Sequence, residues 1–348
     1  MNDLGLFVFP AISFVISILL FPLVIKIFKG MNWFDPPGTH KIHASSVPSM
    51  GGVAIMIGAV LALLMGLPLH QWIERKYFFI SISLMFLIGL RDDVLALTPR
   101  QKLISQFLPV LVIVFLDRVL LVSFYEWNND PLPQYMSYLI SFVTVIIVSN
   151  AYNLIDGIDG LAGAVGVLVL VFLGIWFIEA DDRYTGLIAL CFAGALVAFL
   201  IFNWQPSSIF MGDTGALTIG LVLSVFAIRF INLNASLSAD HPAKFAASIS
   251  TAFCILIVPL FDTFRVILIR LRQLQSPFHA DRNHIHHRFL AAGMTHGRAV
   301  IWIALLNVFF MGLAIALRAQ PDTVLLPVVV IACLLINFAL QRMTVKSA

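Results

Sequence analysis

Eleven stretches of the chain are apolar enough to be read as helices that cross a bilayer: about 4–28, 48–69, 77–90, 103–121, 135–151, 161–179, 185–203, 215–232, 246–269, 299–318 and 323–341. A spanning helix needs roughly 20 such residues. The third stretch is short, and the ninth carries Pro259, Asp262 and Arg265 within its apolar run. The pattern predicts an all-α polytopic membrane protein of about 11 transmembrane helices, with residues 1–348 forming a single domain. No internal repeat or low-complexity tract interrupts it. An odd number of spans puts the two termini on opposite sides.

The positive residues choose between the two orientations, because cytoplasmic loops are enriched in Lys and Arg. With the N-terminus outside and the C-terminus cytoplasmic, 14 of the 21 Lys and Arg fall inside, although Arg75 and Lys76 lean the other way. The first stretch opens on Asp3 and meets Lys26 and Lys29 only after its apolar run, the reverse of a cleaved signal peptide. It reads as a retained first helix. In this arrangement seven of the nine histidines also fall inside.

Composition agrees with lipid as the solvent. The chain is 60% hydrophobic and 11% charged, against about 25% charged in an ordinary soluble domain. A net charge of +3 without a basic run gives no reason to expect nucleic acid. Cys191, Cys254 and Cys333 stand alone in apolar stretches and read as small core residues.

Five polar segments on the predicted inner side carry the candidate chemistry. Asp92 and Asp93 end the third span beside Arg91. Adjacent carboxylates at a membrane edge need a cation or donors to offset them; a divalent metal would serve, as would pairing with Arg91 and Arg100. Asn150, Asn153, Asp156 and Asp159 recur every three residues, a spacing that would align them on one face of a helix. Gly157 and Gly160 predict a break in that helix. Asp213, between two glycines and ahead of the eighth span, suits a metal-binding carboxylate or a helix cap. Asn203 and Phe210 precede it. Arg282, His284, His286 and His287 form a cationic and imidazole cluster better suited to phosphate oxygens than to zinc. The first loop adds Lys41. Asp262 and Arg265 are spaced for either a functional or a structural ion pair. Carboxylates and basic groups together point to a metal-bridged polyphosphate substrate, and no Gly-rich nucleotide loop is present.

Taken in order, Asp92-Asp93, Asn153-Leu-Ile-Asp156-Gly-Ile-Asp159-Gly, Phe210-Met-Gly-Asp213 and His284-Ile-His286-His287 resemble the polyprenyl-phosphate N-acetylhexosamine-1-phosphate transferase superfamily, in its WecA-type branch. The resemblance implies transfer of N-acetylhexosamine 1-phosphate, N-acetylglucosamine 1-phosphate first among the choices, from a UDP-sugar to polyprenyl (undecaprenyl) phosphate, with release of UMP. It implies Mg2+ at Asp213, with Mn2+ as a substitute, and Asp92, Asp93, Asp156 and Asp159 as catalytic carboxylates. Lys41, Asn153, Asn203, Phe210, Arg282, His284, His286 and His287 would bind substrate. The implied place is the bacterial inner membrane, with the site facing the cytoplasm, at the first membrane step of a cell-surface glycan such as lipopolysaccharide or cell wall. His40 and Ser49 stand where the family commonly has arginines.

Two other readings stay open. The muramoyl-pentapeptide branch shares the outline but usually has three consecutive histidines. A transporter of an anionic metabolite would place polar groups at mid-membrane and on both sides. Which sugar is moved, and whether the chain forms a homodimer, are not legible in the sequence.

Overall fold

The computed structural model describes residues 3–31, 47–125, 130–275 and 284–346. Lys41 and Arg282 lie outside the described residues. The described chain is helical, and its only β feature is an isolated bridge between Ser123 and Pro131. The first half runs through α1 (Asp3–Gly30), α2 (Gly51–Gly66), α3 (Leu69–Glu74), α4 (Lys76–Val94), α5 (Pro99–Ser105), α6 (Phe107–Leu111), a π-turn (Val112–Leu116) and α7 (Gln134–Leu154). The second half runs through α8 (Leu161–Glu179), α9 (Arg183–Asn203), α10 (Gly212–Ser236), α11 (Ser248–Ile255), α12 (Ile257–Arg272), α13 (Ile285–Ala291), α14 (His296–Ala316) and α15 (Asp322–Lys346).

Each of the eleven apolar stretches is helical here. Among the described residues, eight helices or helix runs are long and apolar enough to cross a membrane by themselves. The short α2 and the charged-ended α4 account for two more stretches. The ninth stretch is not one straight helix: α11 and α12 meet at Leu256 with an 85° bend. Pro259 supplies the reason. It has no N–H to give the carbonyl of Ile255, so the helix is interrupted and proline falls in the first turn of the next one. The orphaned Ile255 carbonyl accepts instead from the buried amide of Asn307, at 3.3 Å.

The bundle is organised around α10. Its span is 83% buried, whereas that of α15 is 17% buried, so α10 is the central helix and α15 lies at the periphery. Helices α2, α4 and α7 pack on α10, and α8, α9 and α1 complete the layer around them. Close packing is built from small residues, as lipid offers no hydrophobic drive to hold helices together. A Cβ on Gly52 of α2 would lie 2.2 Å from the amide nitrogen of Gly215, and one on Gly89 of α4 would lie 2.5 Å from the carbonyl of Asp213. Those two glycines let α2 and α4 close directly on the first turn of α10.

The opposite end of the same helices is tied by charge. Asp182 accepts from Arg229 at 2.6 Å and from Arg75 at 3.4 Å. These residues edge a cavity of about 390 Å³ that also reaches Asp117 and Arg118.

Candidate active site

The C-terminal turn of α4 meets the N-terminal turn of α10. Both oxygens of Asp93 are spent there: Oδ1 accepts from the amide of Asp213 at 2.8 Å, and Oδ2 from the amide of Thr214 at 2.8 Å and its hydroxyl at 2.5 Å. The carboxylate thus caps the first amides of α10, where the helix dipole favours negative charge. Gly212 makes the turn possible. Its φ is +70°, and a Cβ would lie 2.2 Å from the Ser49 carbonyl, so a side chain is excluded by both conformation and space.

Asp92 is buried, and its Oδ1 accepts from the amide of Leu97 at 2.7 Å. Its Oδ2 faces Lys102 Nζ at 3.1 Å. The same ammonium pairs with Asp213 Oδ1, which also accepts from Asn153 Nδ2 at 2.6 Å. Lys102 is therefore the bridge between two carboxylates, a role its sequence position gave little sign of. It is placed by α5, which begins with a capping box between Thr98 and Gln101 and with Pro99 in its first position. That tightly specified turn after Asp92-Asp93 was the available signal.

The three-residue spacing of Asn150, Asn153, Asp156 and Asp159 does not survive as one helical face. Helix α7 ends at Leu154, which leaves Asp156 and Asp159 in the turns ahead of α8, where Gly160 has φ +84°. Asn150 points elsewhere and exchanges amide hydrogen bonds with Gln106. Asp156 nonetheless joins the carboxylates. Burial, reinforced by Asp213, Asp93 and Asp159 and opposed by Lys102, pushes its carboxyl up to about 7.

Asn203, expected to bind substrate, is buried and spends its amide within the fold. It accepts from the Gly160 amide at 2.7 Å and donates to the Ile209 carbonyl at 2.8 Å. It shapes the turn carrying Asp159 rather than presenting a free group. Phe210 ties the site to the first loop through its backbone: its amide donates to Pro48 and its carbonyl accepts from Gly51.

The histidine segment closes another side. His286 is buried against the turn after Asp156, since a Cβ on Gly157 would lie 2.6 Å from its Cε1 and Nε2. Burial, followed by the neighbouring His287, pulls its imidazole down to about 3. His284 stacks parallel to His286, with ring centroids 5.7 Å apart, and His287 lies 4.3 Å beyond. Sequence reasoning left Asp262 open between a functional and a structural pair. It is fully buried and accepts from Arg265 at 2.8 Å and from the Ile285 amide at 2.7 Å, while His284 Nδ1 lies 2.8 Å away.

The assembled site holds five aspartates from α4, α10 and the α7–α8 turn, with Lys102 among them. Carboxylate and amide oxygens are the donors a hard dication prefers. Among the described residues no three His, Cys, Asp or Glu side chains converge as a ready cage.

Residues 76–231 match glycosyl transferase family 4. The matched segment holds Asp92, Asp93, Lys102, Asn153, Asp156, Asp159 and Asp213, and stops short of Asp262 and the histidines. Among its curated relatives is a Bacillus subtilis (strain 168) protein named "Probable undecaprenyl-phosphate N-acetylglucosaminyl 1-phosphate transferase", 28% identical over 88% of this chain and 85% of the relative. The Escherichia coli (strain K12) undecaprenyl-phosphate alpha-N-acetylglucosaminyl 1-phosphate transferase is 27% identical, over 94% and 90%. The decaprenyl-phosphate N-acetylglucosaminephosphotransferase of Mycolicibacterium smegmatis is 28% identical, over 77% and 71%.

Proposed function

We propose that this chain transfers N-acetylglucosamine 1-phosphate from its UDP form to undecaprenyl phosphate. The products are a polyprenyl diphosphate sugar and UMP. The observation that carries the reading is the pairing of Asp92 and Asp213 with Lys102, and of Asn153 with Asp213, at one end of an apolar bundle, in a chain whose relatives are named for this transfer. An oxygen of the lipid phosphate attacks the sugar-bound phosphorus, and the bond from that phosphorus to the UMP oxygen breaks. The attacking phosphate has a second pKa near 6, so it is largely ionised at neutral pH. The harder task is to bring two anions together.

Asp213 would hold Mg2+, or Mn2+ in its place, which would supply charge neutralisation for the diphosphate and the departing UMP. Lys102 holds Asp92 and Asp213 at a fixed separation and adds a positive charge where the phosphates meet. Asp93 keeps Asp213 at the head of α10 by capping its amides. Asp92 orients the lipid phosphate. Asn153, Asp156 and Asp159 hold the uridine and sugar beside Phe210. His284, His286 and His287 contact phosphate oxygens, and Lys41 and Arg282 bind substrate with them.

The topology that goes with this reading has 11 spans, the N-terminus outside and the site on the cytoplasmic face of a bacterial inner membrane. A transporter reading is less well supported. Between the carboxylates at one end and Arg75, Asp182 and Arg229 at the other, the buried stretch of α10 from Ile219 to Ile228 holds no charged residue, whereas a transporter would place polar groups at mid-membrane. The test is UMP release by purified protein given UDP-N-acetylglucosamine and Mg2+, with and without polyprenyl phosphate. Release only in the presence of the lipid is expected. Release without the lipid, or none with it, would refute the proposal. A mixture of UDP-sugars, read by mass spectrometry of the lipid product, fixes which sugar is taken.

A further inference from the structure

We infer that Asp262 is a positioning residue for the histidine segment: its carboxylate fixes His284 and the Ile285 amide, and through them seats His286 on the Gly157 turn. For what the histidines then touch, the inference rests on the function proposed above. Its geometric part stands independently.

Asp262 lies in the second turn of α12, just beyond the 85° bend, and is fully buried. A buried carboxylate is costly unless its oxygens are matched by donors or cations. Arg265, one turn along the same helix, would suffice for a structural ion pair. Two more contacts come from a segment more than twenty residues away: the Ile285 amide donates to Oδ1 and His284 Nδ1 meets Oδ2. A single carboxylate therefore fixes both the backbone and a ring of that segment.

The ring contact has a directional consequence. With Nδ1 held by a carboxylate, the imidazole cannot spin, and its Nε2 is presented on the far side. The rings of His284 and His286 are parallel within 8°, and His286 is packed against Gly157, the residue after Asp156. The contacts run from Asp262 through His284 and His286 to the turn bearing Asp156. Among the described residues the buried His286 Nδ1 has no hydrogen-bond partner, so the placement of this ring depends on the neighbours it packs against. The bend at Leu256 is what lets a residue of the ninth apolar stretch reach this segment.

The experiment compares full-length wild type, Asp262→Asn and Asp262→Glu, purified in detergent. Diethyl pyrocarbonate labelling of each histidine, read by peptide mass spectrometry, reports ring burial without reference to activity. Exposed His70, at a distance from the segment, serves as the internal standard. In Asp262→Asn, labelling of His284 and His286 should rise several-fold relative to His70. UMP release per folded molecule should fall roughly 10–100-fold, as for other groups that act by orienting a ligand. Asp262→Glu keeps the charge and should recover part of both. Wild-type labelling and turnover in Asp262→Asn would overturn the inference. Should Asp262→Asn not fold, labelling of His286 in His284→Gln decides: a rise supports the contact chain, and no rise overturns it. If labelling rises as expected but wild type releases no UMP, the positioning stands and the proposed function fails.

Discussion

Lys102 carries the charge balance of the site at the scale of a single residue. Its ammonium bridges Asp92 and Asp213, and removing it leaves two carboxylates with only hydrogen-bond donors to offset them. Lys102→Met should lower UMP release on the order of 10²–10³-fold, the usual cost of losing a preorganised charge at a reacting phosphate, while the purified protein still folds. Turnover within a factor of three of wild type would remove Lys102 from the account. The aspartates were legible in the sequence because acids inside an apolar frame are costly and need a reason. Lys102 was not, since a lysine at the start of an inner helix also satisfies the positive-inside pattern. Asn203 misled for a related reason: an amide beside a motif looks the same whether it meets substrate or backbone.

His286 gives a pH signature at the same scale. Burial holds its imidazole near 3, against an ordinary 6.5. Below about pH 6.5 the unfolded chain binds a proton here that the folded chain refuses, so acid favours unfolding through this residue. Its contribution is intact above 6.5 and is lost as pH falls toward 3. The thermal midpoint should therefore drop more between pH 7.5 and 5 in wild type than in His286→Gln. Equal drops would show that the ring is not buried and neutral.

At the scale of elements, the site depends on how closely α2 and α4 approach the first turn of α10. Adding a single methyl in Gly89→Ala would put carbon 2.5 Å from the Asp213 carbonyl. The helices must separate or α10 must shift, at a cost of about 1–3 kcal/mol for overpacking. Because Asp93 and Asp213 sit on the two sides of that contact, activity should fall together with the thermal midpoint. An unchanged midpoint and turnover would contradict the packing described. The element pattern was mostly readable: all eleven apolar stretches are helices. The break that Gly157 and Gly160 predict is there, with α7 ending at Leu154; what escaped was the bend at Leu256, since Pro259 announces an interruption but not its angle. That angle depends on a neighbour distant in sequence, Asn307, which takes up the Ile255 carbonyl.

At the scale of the whole molecule, one apolar bundle keeps carboxylates at one end and an arginine–aspartate network at the other, joined by α10, whose buried stretch from Ile219 to Ile228 is free of charge. That separation is what a membrane enzyme needs if a lipid-borne phosphate is to meet a water-borne nucleotide sugar at one surface. The central claim is that phosphorus, not the sugar alone, changes partner. The most direct test supplies UDP-N-acetylglucosamine labelled in its sugar-bound phosphate, with Mg2+ and polyprenyl phosphate, and follows the label after lipid extraction. The account predicts label in the lipid and unlabelled UMP in the water, both abolished in Asp213→Asn. Label retained in a released UDP, with an unlabelled sugar on the lipid, would contradict it.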